Sequence, residues 1–225
     1  MTAGARWYEG RRPRAAPRHG QDLILARPRA PDYADKRAAI LDGAARLFAR
    51  QGFAATTLQD VADACAMSKS LIYHYWQSKE GLLFDVLESH LAHLVAQVEA
   101  GAAAPAEGPR ARLHHLAGHL LAAYESADDR HAILLNDLAA LDPTRQEAIR
   151  ALERRIVAVF SAAIADLSPA FADQPDLLKP VTMSLLGMLN WHHRWHRPGG
   201  ALDRSAYARL AADLVISGLD GVART

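Results

Sequence analysis

Eight side chains between Thr57 and Lys79 have types and spacing suited to gripping a nucleic acid: Thr57, Ser68, Lys69, Ser70, Leu71, Tyr73, His74 and Lys79. Hydroxyls, ammonium groups and a ring N–H bond phosphate oxygens, which fixes a protein on a duplex. A lysine also reaches guanine O6 and N7, and a leucine meets a thymine methyl. A second concentration of unusual residues runs from Leu189 to Arg197 and holds two Trp, three His and two Arg. Trp191 and Trp195 are i,i+4 neighbours and share a helix face. That mixture suits a ligand with apolar and anionic parts, or equally an aromatic anchor in a core or dimer interface.

The first group needs short helices to present it. From Asp35, Ile40, Ala44, Leu47 and Phe48 repeat with a helical period, and Gln51-Gly52 closes that helix. Thr57 followed by Asp60 forms a capping-box pattern, and Leu58, Val61, Ala62 and Cys65 make the buried stripe behind it. Cys65 on that stripe is expected to be buried and inert. Ser68 caps a third helix whose inner face is Ile72, Tyr75 and Trp76. Ser78 caps a fourth, carrying Leu83, Leu87, Leu91, Leu94 and Val98. After an Ala/Pro/Gly break at 102–109, helical segments follow at about 110–127, 130–140, 144–167, 175–197 and 203–223, separated by Pro143, Pro169, Pro175 and Pro198-Gly199-Gly200. No strand-like alternation and no internal repeat occur, so the expected class is all-α: a helix-turn-helix headpiece at 34–80 and a helical body at 81–225.

Residues 1–33 read as a basic, loosely held arm; 1–31 alone carry seven arginines and seven prolines or glycines. Such a stretch is a plain tail or an arm that follows DNA. Residues 1–83 hold 13 Lys/Arg against 8 Asp/Glu, and the remainder 13 against 17, so the net charge of +1 divides into a basic front and an acidic back. The asymmetry suggests that the front meets a polyanion. The single cysteine excludes an internal disulfide or a cysteine-rich metal site. No apolar run reaches the ~20 residues of a membrane span, and the N-terminus lacks an apolar signal core. A cytoplasmic location with no membrane partner is the expectation.

Ser68-Lys69-Ser70-Leu71-Ile72-Tyr73-His74-Tyr75-Trp76, then Ser78-Lys79-Glu80-Gly81-Leu82, resembles the recognition helix and following helix start of the tetracycline-repressor (TetR) family of bacterial regulators. Ala44 to Phe53 is similar to the family's first helix, and the likeness covers about 36–83. It implies a repressor that binds a palindromic double-stranded DNA operator. Thr57 and Lys79 would hold phosphates, Lys69, Ser70 and Leu71 would face base edges, and Tyr73 and His74 would contact phosphate or sugar. Each has a plainer alternative: Lys69 touching phosphate alone, His74 as a surface histidine, Tyr75 as a packing residue. Two positions depart from the family pattern. Ala66 stands where the turn usually has Gly, which costs about 1 kcal/mol if that residue needs a positive φ. Trp76 replaces the usual Phe.

One headpiece makes few contacts, so two copies about 34–36 Å apart would read a near-palindrome. A homodimer through the last two helices is expected, its face formed by Leu185, Leu186, Leu189, Leu210, Leu214, Ile216 and Leu219. The Asn190–Gly200 stretch is similar to TetR-type regulators of fatty-acid, phenylacetate and sterol-ring catabolism, several of which respond to acyl-coenzyme A thioesters. That likeness points to a small-molecule effector of this kind. Tyr124, Leu135, Leu138, Met188 and Trp191 would line an acyl channel, with Trp195 beside them. Arg194, Arg197 and Arg154-Arg155 would offer charge for the phosphates. His192/His196, His115/His119 and His90/His93 have metal-compatible spacing, but no carboxylate or cysteine completes a set nearby, so no metal and no cofactor are expected. No phosphate loop, nucleophile elbow or His-Glu-x-x-His is present, so an enzyme is not expected. A regulator of efflux or another gene with a different hydrophobic ligand, and a DNA-binding protein with no ligand, are the rival readings.

Overall fold

The computed structural model describes residues 31–125, 127–168, 174–197 and 199–222. Most of the expected basic arm, Pro169 and Pro198 therefore lie outside the described residues. Among the described residues nine α-helices follow one another with no strand: α1 (Pro31–Gln51), α2 (Leu58–Ala64), α3 (Lys69–Tyr75), α4 (Lys79–Ala103), α5 (Pro109–Tyr124), α6 (Asp128–Asp137), α7 (Pro143–Ala165), α8 (Pro175–Trp195) and α9 (Arg204–Val222). A 3-10 turn, Leu138–Ala140, follows α6. α1 opens at Pro31, earlier than the expected Asp35, so 31–33 belong to the helix and not to the arm; proline fits a helix's first turn because its missing N–H has no partner there anyway.

The local signals set the helix boundaries. Thr57 Oγ1 accepts from the Asp60 amide while Asp60 accepts from the Thr57 amide, a complete capping box. Ser68 and Ser78 accept from the amides of Leu71 and Gly81. Gly52 ends α1 at φ +85°, where an L side chain would be strained. Pro109, Pro143 and Pro175 each stand in the first turn of their helices.

α1, α2 and α3 close over Ile40, Ala44, Phe48, Val61, Ala62 and Ile72, and the same core continues without a break into the body along α4. Leu83, Leu87, Leu91, Leu94 and Val98 are all buried there, so α4 packs on α1 at its start and on α5 and α7 along its length. Cys65 is half-buried, with Sγ 3.8 Å from the Ala39 carbonyl, and burial pushes its thiol pKa up. The stripe predicts full burial; Cys65 instead caps the end of α2 and packs its sulfur against α1 at Ala39 and Gly43 while staying partly open to solvent.

The expected dimer face divides. Leu185, Leu186, Leu189, Ile216 and Leu219 are buried within the protomer, and Leu210 and Leu214 stand on the surface of α9. On α8 the exposed apolar residues are Met183, Trp191 and Trp195. Both helices carry apolar residues on two faces, and spacing alone does not say which face meets the protomer's own core.

Candidate nucleic-acid interface and effector cavity

α3 has two faces. Ile72 is buried, Trp76 follows at the helix end, and Tyr75 stacks between Tyr33 and Trp76 with ring centroids 4.6 and 5.4 Å away. Lys69, Ser70, Tyr73 and His74 project from the opposite side and are exposed, with Leu71 half-buried beside them. The Lys69 ammonium lies 5.7 Å from the Tyr73 ring centre, so cation and phenol form one patch. Ser68 Oγ sits 3.0 Å from Ser70 Oγ while it caps the helix. An exposed helix face of this make-up can meet base edges and phosphates at once.

Thr57 and Lys79 are placed differently from the rest. The Thr57 hydroxyl donates to Asp60 Oδ2 at 2.7 Å, so its proton is committed inside the capping box and what it still presents to a phosphate is the helix's free amides. Lys79 Nζ donates to the carbonyls of Phe53 and Ala54 at 2.7 and 3.2 Å and lies 4.4 Å from the Phe53 ring centre. These two bonds tie the start of α4 to the turn between α1 and α2 and leave the ammonium one further N–H. Asp85 adds a second tie, accepting from Trp76 Nε1 at 2.8 Å and from Arg37 Nη2 at 2.6 Å. Ala66 in the turn before α3 has φ +51°, so this is the positive-φ position at which alanine costs energy.

The body holds a cavity of about 330 Å³ between α4, α5, α6, α7 and α8. Leu91, Leu94, Leu134, Ile156 and Leu186 give it apolar walls. Tyr124, His131 and Asn190 stand at its buried side, and Arg150, Glu153 and Arg154 along α7. The Tyr124 hydroxyl donates to Asn190 Oδ1 at 2.7 Å, and burial raises its pKa, which keeps the proton on. His131 lies 4.5 Å from the Tyr124 ring, centre to centre. Burial, and next the neighbouring His193, hold its pKa down to about 4; His90, behind it, is pushed down to about 3 by burial and then by His131. Both imidazoles are therefore neutral near pH 7. Burial also raises Glu153, against the pull of Arg150 and Arg154.

Of the residues expected to line a ligand channel, Tyr124 borders this cavity and Leu135, Leu138, Met188, Trp191, Arg194 and Trp195 do not. Leu135 is 51% exposed on the outer side of α6. Leu138 and Met188 pack against the core from outside the space. Trp191 is 57% exposed with the Arg194 guanidinium 5.4 Å from its ring centre, and Trp195 is 47% exposed against His192 and Tyr207. The tryptophans stand one turn apart on the outer face of α8, whereas Leu186 and Asn190 on its inner face reach the cavity. Among the arginines considered, Arg154 borders the cavity, and Arg155 turns away to pair with Glu99 at 2.7 Å. His131, Arg150 and Glu153 carried no motif that would single them out, and Asn190 stood only at the start of the Trp-rich stretch; helices far apart in sequence bring the four together.

A larger open cleft of about 1020 Å³ lies between α5, the 196–205 segment and α9, lined by His115, His119, His196 and Arg204 among others. It has no wall from α4, so it lacks the direct link to the headpiece that the smaller cavity has. Among the described residues no three His, Cys, Asp or Glu side chains are grouped to hold a metal ion, and no helix is long and apolar enough to cross a membrane.

Comparison with known proteins places both halves in one family. Residues 40–86 match the family described as bacterial regulatory proteins, tetR family, and residues 106–219 match the tetracyclin repressor-like C-terminal domain. The HTH-type transcriptional repressor KstR2 of Mycolicibacterium smegmatis is 28% identical over 201 residues, covering 83% of this chain and 91% of that protein. A TetR-family transcriptional regulator from Bordetella parapertussis has a similar structure, with TM-score 0.76 and 32% identity over 82% of this chain and 96% of its own. AibR, solved in complex with isovaleryl coenzyme A and operator DNA, gives TM-score 0.67 and 28% identity over 82% of this chain and 97% of its own.

Proposed function

The chain belongs to the TetR family of bacterial transcriptional regulators, a family of DNA-binding proteins and not of enzymes, and from that premise we propose that it is a homodimeric repressor released from its operator by an effector bound in the body. The observation that carries this reading is the course of α4. Its first turns hold the headpiece through Lys79 and Asp85, and Leu91 and Leu94, farther along, wall the cavity. A ligand that displaces Leu91 and Leu94 thus moves the lever on which the headpiece is mounted. α6 gives a second link: Leu134 and His131 border the cavity, and the adjacent Arg130 pairs with Asp42 on α1. The ligand releases DNA to the extent that it prefers the arrangement that does not fit the operator.

On this reading 34–80 is the DNA-binding unit and 81–225 the effector and dimerisation unit. Lys69, Ser70 and Leu71 face base edges, Ser68 positions them as the cap of α3, and Tyr73 and His74 hold the backbone, with the helix start behind Thr57 on an adjacent phosphate. The partner protomer covers the outer faces of α8 and α9, where Trp191, Trp195, Leu210 and Leu214 leave apolar surface exposed. Likeness to AibR with its isovaleryl coenzyme A supports an acyl-coenzyme A effector. A cavity of about 330 Å³ fits a short or compact acyl group, and Arg150 and Arg154, exposed on α7, suit the anionic remainder outside it. A gel shift with the DNA upstream of the protein's own gene, titrated with acyl-coenzyme A thioesters, tests the reading. A specific complex dissolved by one of them is expected; a complex indifferent to every thioester that binds the protein contradicts it.

A further inference from the structure

The buried side of the cavity carries hydrogen-bonding capacity that the protein does not use. His131 is 2% exposed and borders the cavity; neither of its ring nitrogens has a partner of good hydrogen-bond geometry among the described residues, and with the Asn190 carbonyl as the one backbone group beside the ring, at least one nitrogen stays open. Tyr124, 4% exposed, gives its proton to Asn190 Oδ1, which leaves the phenol oxygen as an acceptor and the Asn190 NH2 as a donor. Buried polar atoms in folded proteins are nearly always paired, so an imidazole left open at a cavity wall marks where a bound molecule supplies the partner. The opposite border is different in kind: Arg150, Arg154 and Met183 are exposed there, and the walls between are leucines. The space therefore runs from a mouth where Arg150 and Arg154 flank Glu153, through an apolar middle, to a polar end built of phenol, amide and imidazole.

The character of that end limits what it accepts. A carboxylate taken so deep would need a buried counter-charge. The groups present are a phenol, a primary amide and an imidazole that burial and His193 keep neutral. A wholly apolar tip would leave His131 unpaired. At about 330 Å³ the cavity is at the small end of ligand pockets, so the buried skeleton is a short chain or a compact ring system.

Resting on the reading that this cavity holds the effector, we propose that its deep end selects an effector with an uncharged oxygen, a carbonyl or a hydroxyl, at the tip of an apolar skeleton, with His131 and the Tyr124–Asn190 pair as the specificity-determining contacts.

Calorimetric titration of the full-length protein with two probes of one shape, the bicyclic ketone 2-decalone and its hydrocarbon decalin, tests this. Comparing variants within each probe cancels the probes' different aqueous solubilities. His131→Phe should weaken 2-decalone by roughly three- to ten-fold, the loss of one hydrogen bond, and leave decalin unchanged or tighter. Asn190→Leu is the second variant and should show the same split; circular dichroism and melting establish which variants are folded. If folded His131→Phe and Asn190→Leu proteins bind both probes as the unaltered protein does, or lose both equally, the polar end is not a contact and the proposal fails. Leu94→Trp, which fills the cavity, separates that failure from the one beneath it. Decalin binding that disappears in Leu94→Trp keeps the cavity as the ligand site; probes that bind Leu94→Trp normally, or never bind at all, overturn the cavity reading and this proposal with it.

Discussion

The headpiece and the body use polar side chains in opposite ways. In the headpiece the polar groups are either paired within the scaffold or turned outward. Thr56 is fully buried, and its hydroxyl donates to the Gly52 carbonyl four residues away. Thr57 and Ser68 cap their own helices, while Lys69, Ser70, Tyr73 and His74 form an open face. In the body, His90, His131 and His192 are buried with ring nitrogens that lack partners, and Tyr124 and Asn190 pair across 66 residues at a cavity wall. One half presents its chemistry to a large outside partner on a finished scaffold. The other keeps unfinished chemistry inside, where a small molecule can complete it. A sensor joined to a DNA-reading unit needs both, and α4, which belongs to the two at once, is the place to look for their coupling.

The sharpest way to separate the halves is acid. His90 and His131 have folded-state pKa values of about 3 and 4 against an ordinary 6.5, so the unfolded chain binds more protons as pH falls. Their stability contribution is intact above pH 6.5 and is lost as pH falls from there toward 4. The expected loss at pH 5 relative to pH 8 is about 2 kcal/mol for each, summing to about 4 kcal/mol. Melting followed between pH 8 and pH 5 should show this drop, and His90→Leu with His131→Leu should flatten it. A pH profile that the double replacement leaves unchanged would place the acid sensitivity elsewhere.

Next in size is the outward face. Lys69→Ala with Tyr73→Ala should cost roughly 100-fold in operator affinity, since each change removes charge-assisted contacts twice per dimer. Tyr73→Ala alone should weaken all sequences alike. Lys69→Ala should alter base preference if Lys69 meets guanine, or lower the slope of log affinity against log salt by about 2 per dimer if it meets phosphate. Fluorescence anisotropy across a salt series distinguishes the two. Operator affinity indifferent to both changes would remove α3 from the interface.

What the sequence made legible follows the same division. The capping box at Thr57–Asp60, the caps at Ser68 and Ser78, and the positive φ at Ala66 depend on residues within a few positions of each other, so a one-dimensional pattern contains them. The all-helical class was legible for the same reason, because prolines and glycines mark the breaks. The body site was not. Trp191 and Trp195 drew attention as rare residues at helical spacing, but spacing does not tell the inner face of α8 from the outer, and it is Leu186 and Asn190 that turn inward. His131 sits in an ordinary Asp-Arg-His-Ala stretch and acquires meaning when α6 is laid against α5 and α8. Lys79 reads as a phosphate clamp by position, and its two bonds to the carbonyls of Phe53 and Ala54 become visible in three dimensions.

Two smaller effects probe the joint and the turn. Asp42→Asn breaks the pair with Arg130 that links α1 to the cavity-bordering helix. It should change the factor by which effector weakens operator binding by roughly three- to ten-fold, a typical coupling energy, as read from operator titrations at zero and saturating effector. Ala66→Gly removes a side chain from a left-handed position and should stabilise the headpiece by about 0.5–1 kcal/mol, raising Tm by about 1–4 °C. A fall in Tm would mean that the turn tolerates alanine and that glycine's extra freedom in the unfolded chain dominates.

On the proposed function, occupancy of the body cavity sets the headpiece's hold on DNA. The direct measurement is operator affinity, by anisotropy, of the unaltered protein and of Leu94→Trp, each without ligand and with a saturating acyl-coenzyme A thioester shown by calorimetry to bind the unaltered protein. A fall of roughly ten-fold or more is expected in the unaltered protein, in the range of known allosteric couplings, and no fall in the Leu94→Trp variant, whose indole is placed to fill the cavity. Equal affinities with and without the bound thioester, or the same fall in both proteins, would contradict it.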